Sequence, residues 1–263
     1  RDGFRGLTRS LEREVDREQN SDRRAVLRSF QIAAEAPCYL SERYAREAEV
    51  QARRADTGRA AELHEIARIC RKVPWGPAES FHEALQSLWL THMLVQVSES
   101  YPGAGTSFGR FDQYMYPYYK ADIESGRIAR EEARELLRCF WVKPNYAYDY
   151  QGRIGTNQGI NSSFGQLMTL SGCGPKGEDL TNDLTYLCLD VIEEMNLLEP
   201  KRNIRLHEKS PDTLLDRICE LLSRSQGAPF LLNFDETAMR GLRWEGVPES
   251  EVWDYAPVGC LEN

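Results

Sequence analysis

The residues best suited to chemistry are Cys260 and Glu262, in the run Trp253-Asp254-Tyr255-Ala256-Pro257-Val258-Gly259-Cys260-Leu261-Glu262-Asn263. In an extended loop, side chains two apart point to the same side. Cys260 and Glu262 then share one space, and Leu261 faces the other wall. A nucleophilic thiolate wants a histidine or a positive neighbour to lower the thiol pKa. The nearest charges here are Asp254 and Glu262, both acidic. Acidic neighbours and an apolar setting keep the proton on sulfur. A protonated, dry thiol is a poor nucleophile but a suitable hydrogen-atom donor, and its thiyl radical a suitable abstractor. The local electrostatics therefore favour one-electron over two-electron chemistry. An inert, buried loop cysteine is the plain alternative.

The other six cysteines, at 38, 70, 139, 173, 188 and 219, lie too far apart in sequence for a local zinc or redox motif. The odd total of seven cysteines and the lack of a framework point to reduced thiols in a cytoplasm. Their expected role is that of small hydrophobes. The net charge of -8 argues against nucleic acid as a partner. No apolar run reaches the roughly 18 residues that span a bilayer, so no membrane is expected. The 263 residues are 41% hydrophobic, enough for a sizeable core.

The elements that must position Cys260 follow from periodicity. Residues 1–73 read as charged helices, with a break at Asp56-Thr57-Gly58. Pro77 is expected to open a central helix running to Ser98 that carries His82 and His92, both read as structural. Tyr101 to Gly105 read as a loop, and the glycines at 103, 105 and 109 do not fit a dinucleotide fingerprint. Helices are expected at 111–124 and 130–142.

After that the pattern alternates. Strands are expected at 166–170, 203–207, 229–234 and 254–258, and helices at 182–195, 211–225 and 235–244. Such alternation implies parallel β-α units. Working residues then sit at the C-terminal ends of the strands, where Cys260 falls. Arg205, on one of these strands, is read as a surface or structurally paired residue in preference to one that binds a substrate carboxylate. The expected fold class is α/β, divided into a mostly helical region (1–160) and β-α units (161–263).

Gly259-Cys260-Leu261-Glu262 resembles the Gly-Cys-x-Glu thiyl loop of glycyl radical enzymes. Three further stretches resemble that family in the same order: Glu79 to Gln86, Gly109 to Tyr119, and Thr181 to Leu187. The resemblance covers about residues 75–263. It implies part of a ten-stranded α/β barrel of the pyruvate formate-lyase-like type, with the N-terminal helices packing outside it. Leu261, Asn263 and Tyr255-Ala256-Pro257-Val258 depart from the dehydratase-like pattern Gly-Cys-Val-Glu-Pro. They look like the fumarate-adding branch typified by benzylsuccinate synthase.

That branch implies a carbon–carbon lyase that adds toluene, or a similar hydrocarbon, to fumarate. Cys260 would carry the thiyl radical. Glu262 would order the loop, and Val258 and Leu261 would line an apolar wall. The implied cofactor is a glycyl radical on a glycine outside this chain, with no metal or nucleotide. The implied partners are a radical S-adenosylmethionine activating enzyme and small accessory subunits. The alternatives are alkyl- or naphthylmethylsuccinate synthesis, or a glycyl radical dehydratase or decarboxylase. Arg1 is not a methionine and Asn263 falls inside the motif, so the chain reads as a piece of a longer protein, inactive by itself.

Overall fold

The computed structural model describes residues 2–98, 106–154, 166–224 and 230–258. The chain divides into two compact units, residues 1–94 and 95–263.

The first unit holds α1 (Gly3–Arg17), α2 (Ser21–Ala52), α3 (Thr57–Lys72) and most of α4 (Phe81–Ser98). Asn20 and Asp56 cap α2 and α3 by accepting backbone N–H bonds, from Asp22 and Arg23 and from Arg59 respectively. The break read at Asp56-Thr57-Gly58 is the start of α3. Ala45, Ala48 and Ala52 of α2 pack with Leu63, Ala67 and Cys70 of α3. Small side chains let two helices approach closely, and Arg71 ties them at 2.6 Å to Glu49.

The helix expected from Pro77 begins instead at Phe81. Ser80 supplies the stop. Its hydroxyl accepts the Glu83 N–H at 3.2 Å, while the Glu83 carboxylate accepts the Glu79 N–H at 2.9 Å. A capping residue with a carboxylate three positions on outcompetes the proline as a helix start.

The second unit carries β1 (Gly109–Arg110), α5 (Phe111–Tyr114), α6 (Tyr116–Glu124), α7 (Arg130–Ile154), β2 (Leu167–Ser171) and α8 (Asp183–Met195). It continues with β3 (Lys201–Leu206), α9 (Asp212–Arg224), β4 (Phe230–Phe234) and α10 (Asp235–Trp244). Among the described residues the strands form one parallel sheet in the order β1-β2-β3-β4. The change of character expected at 160 is preceded by one short strand, β1.

Pairing aligns Arg110 with Thr169, Thr169 with Asn203, and Ser171 with Arg205. Strand alternation then puts Arg110, Thr169, Ser171, Asn203 and Arg205 on one face of the sheet. Met168, Leu170, Ile204 and Leu206 occupy the other. Both sets are buried, as befits a parallel sheet covered on both sides. The apolar side of this unit is filled by Leu184, Leu187, Cys188, Val191 and Ile192 of α8. Phe111 stacks near Phe140 and Trp141, with ring centroids 5.5 and 5.9 Å away. Outside, Arg134, Arg138 and Arg217 pair with Asp190, Glu194 and Glu193, so many of the chain's charges form solvated interhelical ion pairs.

The strand expected at 254–258 is absent. A 3-10 turn spans Val252–Asp254, closed by the Asp254 N–H on Glu251 O at 2.9 Å. Pro257 has no N–H to give a ladder, and Val258 alone makes a bridge. Among the described residues no helix is long and apolar enough to cross a membrane.

Candidate functional site: the seat of the cysteine loop

Three strand ends converge on the residues that lead into Gly259-Cys260. The first is the end of β2. Ser171 and Gly172 take positive φ values of 63° and 98°, turning the chain off the sheet. The Ser171 N–H donates to Asp112 Oδ2 at 2.8 Å. Asp112 also accepts from Thr185 Oγ1 at 2.5 Å and from Gln113 Nε2 at 2.9 Å. Asp112 is fully buried, and burial outweighs these donors to hold its carboxyl above the usual range.

The second is the end of β3. Arg205 is wholly buried and uses its guanidinium as a fork. Nε donates to Asp235 Oδ1 at 2.8 Å and Nη2 to Asp235 Oδ2 at 3.1 Å. Nη1 donates to Tyr255 O at 2.9 Å and Nη2 to Trp253 O at 2.9 Å. The guanidinium also lies 3.9 Å from the Tyr255 ring centroid. Gly172 makes room for it: a Cβ there would stand 2.7 Å from Arg205 Nε.

Asp235, the first residue of α10, follows directly on β4. It accepts the Tyr255 hydroxyl at 2.8 Å and the Cys173 N–H at 2.7 Å. Burial alone would raise its carboxyl, but the Arg205 pair and these two donors outweigh it and lower the pKa. Burial and the Asp235 charge push the Tyr255 phenol well above its usual range, so it stays a donor.

The third is β1. Arg110 Nη1 donates to Trp253 O at 3.3 Å and to Asp254 Oδ1 at 3.2 Å. Its Nη2 reaches Cys173 O at 3.1 Å and Ser171 O at 3.5 Å. Trp253 O thus accepts from two buried arginines. Burial, then the neighbouring Arg205 charge, lower the Arg110 pKa.

The Cys173 thiol sits at the same end, 3.6 Å from Met239 Sδ, and burial pushes its pKa up to about 11. Further along the polar face, Asn203 Nδ2 donates to Thr169 Oγ1 at 3.1 Å and Asn233 Nδ2 to Asn203 Oδ1 at 2.5 Å. No group of three or more metal-ligating side chains occurs among the described residues.

Of the residues singled out from the sequence, Val258 is 44% exposed. Cys260, Leu261 and Glu262 lie outside the described residues, as does the Tyr101–Gly105 loop. Cys70, Cys173 and Cys188 are buried free thiols, while Cys139 and Cys219 are exposed ones. His92 is buried on α4, and burial lowers the pKa of His82. Arg205 is structurally paired, as read. The sequence reading passed over Asp112, Asp235 and the partners of Arg110. An available signal was Gly109-Arg110-Phe111-Asp112 at the end of a two-residue strand. Another was an acid at the junction of β4 and α10.

The pyruvate formate lyase-like family matches residues 1–263. The chain belongs to this family. Within the family it is 35% identical to the isethionate sulfite-lyase of Oleidesulfovibrio alaskensis, over 99% of this chain and 32% of that protein. It is 32% identical to the trans-4-hydroxy-L-proline dehydratase of Clostridioides difficile, over 99% of this chain and 34% of that protein. It superposes on the B12-independent glycerol dehydratase of Clostridium butyricum with a TM-score of 0.90 at 32% identity, covering 99% of this chain and 33% of that one. The chain spans about a third of the length of the relatives it matches. The α/β fold with a parallel sheet, expected from the sequence, agrees with these family structures.

Proposed function

We propose that this chain is the cysteine-loop portion of a glycyl radical lyase that eliminates a leaving group from a small, polar, hydroxylated substrate. The observation that carries the reading is the seat described above. Two buried arginines and one buried aspartate fix residues 253–255 at the C-terminal end of a parallel sheet, and Gly-Cys-x-Glu begins four residues later in the sequence. Relatives of this identity are named as a sulfite-lyase and dehydratases, which supports elimination. The polar face bearing Thr169, Asn203 and Asn233 also suits a polar substrate better than a hydrocarbon.

The chemistry required of Cys260 is a one-electron exchange of hydrogen, and a stored glycyl radical would supply the oxidation of its thiol. At the strand ends where residues 253–255 are held, the Cys173 thiol is kept protonated by burial, which supports an environment suited to a protonated thiol. Cys260 sulfur takes a hydrogen atom from a substrate C–H next to a hydroxyl. Glu262 takes the hydroxyl proton as hydroxide or sulfite leaves the adjacent carbon, and gives that proton to the departing hydroxide, making water, or to solvent. Cys260 then returns its hydrogen atom to the product carbon. Excluding bulk water keeps the carbon radical from side reactions. Val258 and Leu261 serve as the wall that does so.

Addition of toluene to fumarate, with accessory subunits, is the second reading. It rests on Leu261 and Asn263 at the loop. It needs no proton acceptor, and Glu262 would then only order the loop.

The test is anaerobic treatment of the complete protein with a radical S-adenosylmethionine activating enzyme, followed by electron paramagnetic resonance and a substrate panel. The panel is isethionate, trans-4-hydroxy-L-proline, (2S)-3-sulfopropanediol, glycerol, and toluene with fumarate. Elimination from a hydroxylated member, lost in Cys260→Ser, is expected. Turnover of toluene with fumarate alone overturns the elimination reading. Full turnover in Cys260→Ser overturns both.

A further inference from the structure

We infer that Arg205 and Asp235 are positioning residues for Cys260, acting through the backbone of Trp253 and Tyr255. The inference deepens the proposed function and rests on Cys260 being the reacting thiol. Four of the guanidinium's hydrogen bonds go to three groups, the Asp235 carboxylate and the carbonyls of Trp253 and Tyr255. Those carbonyls lie seven and five residues before Cys260. Asp235 holds both ends of the arrangement, since it also accepts the Tyr255 hydroxyl.

The described segment that follows the clamp is stiff at Ala256-Pro257. Pro257 has a fixed φ, and the residue before a proline is confined to extended conformations, which limits Ala256. A displacement at Tyr255 is therefore passed to Val258, two residues ahead of Cys260, instead of being absorbed. Hydrogen transfer is steep in donor–acceptor distance, and a misplacement of about 1 Å costs on the order of a hundredfold in rate. Lysine cannot stand in for this arginine, because one ammonium cannot span the carboxylate and two carbonyls in a plane.

The complete protein decides this without turnover. Wild type, Arg205→Lys and Asp235→Asn are treated with iodoacetamide under reducing, anaerobic conditions, and labelling is followed at each cysteine by peptide mass spectrometry. Released from its clamp, Cys260 is expected to label at least tenfold faster in either variant. The buried Cys70 and Cys188, which report global loosening, should keep their wild-type rates. The double variant should label no faster than either single one, since both break one unit. In activated protein the radical signal should form to the same level. The rate of turnover with the substrate found above should then fall about a hundredfold, with KM within threefold.

Unchanged Cys260 labelling overturns the inference, and so does labelling that rises equally at Cys70 and Cys188. Absence of any radical in the wild type would sink the functional reading while leaving the labelling result to decide the clamp.

Discussion

Arg205 and Asp235 meet as a two-point pair, 2.8 Å from Nε to Oδ1 and 3.1 Å from Nη2 to Oδ2, with almost no access to solvent. Removing one partner of such a pair leaves a buried charge uncompensated, which costs about 3–5 kcal/mol. Asp235→Ala is expected to lose that much in urea unfolding. Asp235 has a folded pKa below its ordinary 3.8. A lowered carboxyl stabilises above its unfolded pKa and loses that contribution as pH falls through the folded value. Wild type should therefore lose part of its advantage over Asp235→Asn below about pH 4. An advantage constant from pH 7 to pH 3 would mean that Asp235 is not held ionised.

Gly172 is fixed by the same pair. Its φ of 98° lies where side chains are rarely found, and a Cβ would stand 2.7 Å from Arg205 Nε and 2.9 Å from Arg205 Cβ. Strain and overpacking together put Gly172→Ala at about 2–4 kcal/mol. Gly109 also has positive φ but has open space where a Cβ would sit. Gly109→Ala should cost only its backbone strain, so the difference between the two melts measures the clash with Arg205.

Asp112 behaves oppositely to Asp235. Burial holds its carboxyl above the ordinary value despite donors from Ser171, Thr185 and Gln113. A raised carboxyl stabilises most below its unfolded pKa, and the contribution falls as pH rises through the folded value. Asp112→Asn should therefore compare less badly with wild type at pH 7 than at pH 4. Asp112→Ala should lose about 1–3 kcal/mol at either pH, since buried donors are left unmet. A chemical-denaturation series across that range reads both effects.

How much of this was legible depended on distance along the chain. Asn182 is a capping residue visible in the sequence. It accepts from the Leu184 and Thr185 N–H groups and starts α8 where expected. Alternation placed β2, β3 and β4 within two residues. Periodicity could not reveal β1, because two residues have no period; only pairing with Met168 and Thr169 defines it. Residues 254–258 read as a strand from their residue types, but Arg205 takes the Tyr255 carbonyl that a ladder would need, and Arg110 and Arg205 take the Trp253 carbonyl just ahead of it. Those partners lie 143 and 48 residues away. The Gly-Cys-x-Glu run could be read locally, and the contacts that hold residues 253–255 ahead of it could not.

In the first unit, Glu83 offers an independent check on the electrostatics. Its side chain is 4% exposed and accepts from Lys72 Nζ at 2.7 Å and from the Glu79 N–H at 2.9 Å, with Arg68 at 3.3 Å. Burial alone would raise its carboxyl, but Lys72, the Glu79 N–H and Arg68 outweigh it, and the pKa is lowered. The same carboxylate helps set where α4 begins, so its loss acts on helix initiation and on charge pairing together. Hydrogen bonds to charged groups contribute about 1.5–3 kcal/mol each when made in buried sites. The partly exposed Arg68 and Lys72 bring this toward the lower end. Glu83→Gln keeps the shape and one acceptor oxygen, and is expected to cost about 1–2 kcal/mol at pH 7. The cost should shrink as pH falls through and below the ordinary carboxylate range, where wild-type Glu83 gains its own proton. A thermal-unfolding series from pH 7 to pH 3.5 reads the convergence. Parallel curves for the two proteins would show that the Glu83 charge contributes nothing to the stability of α4.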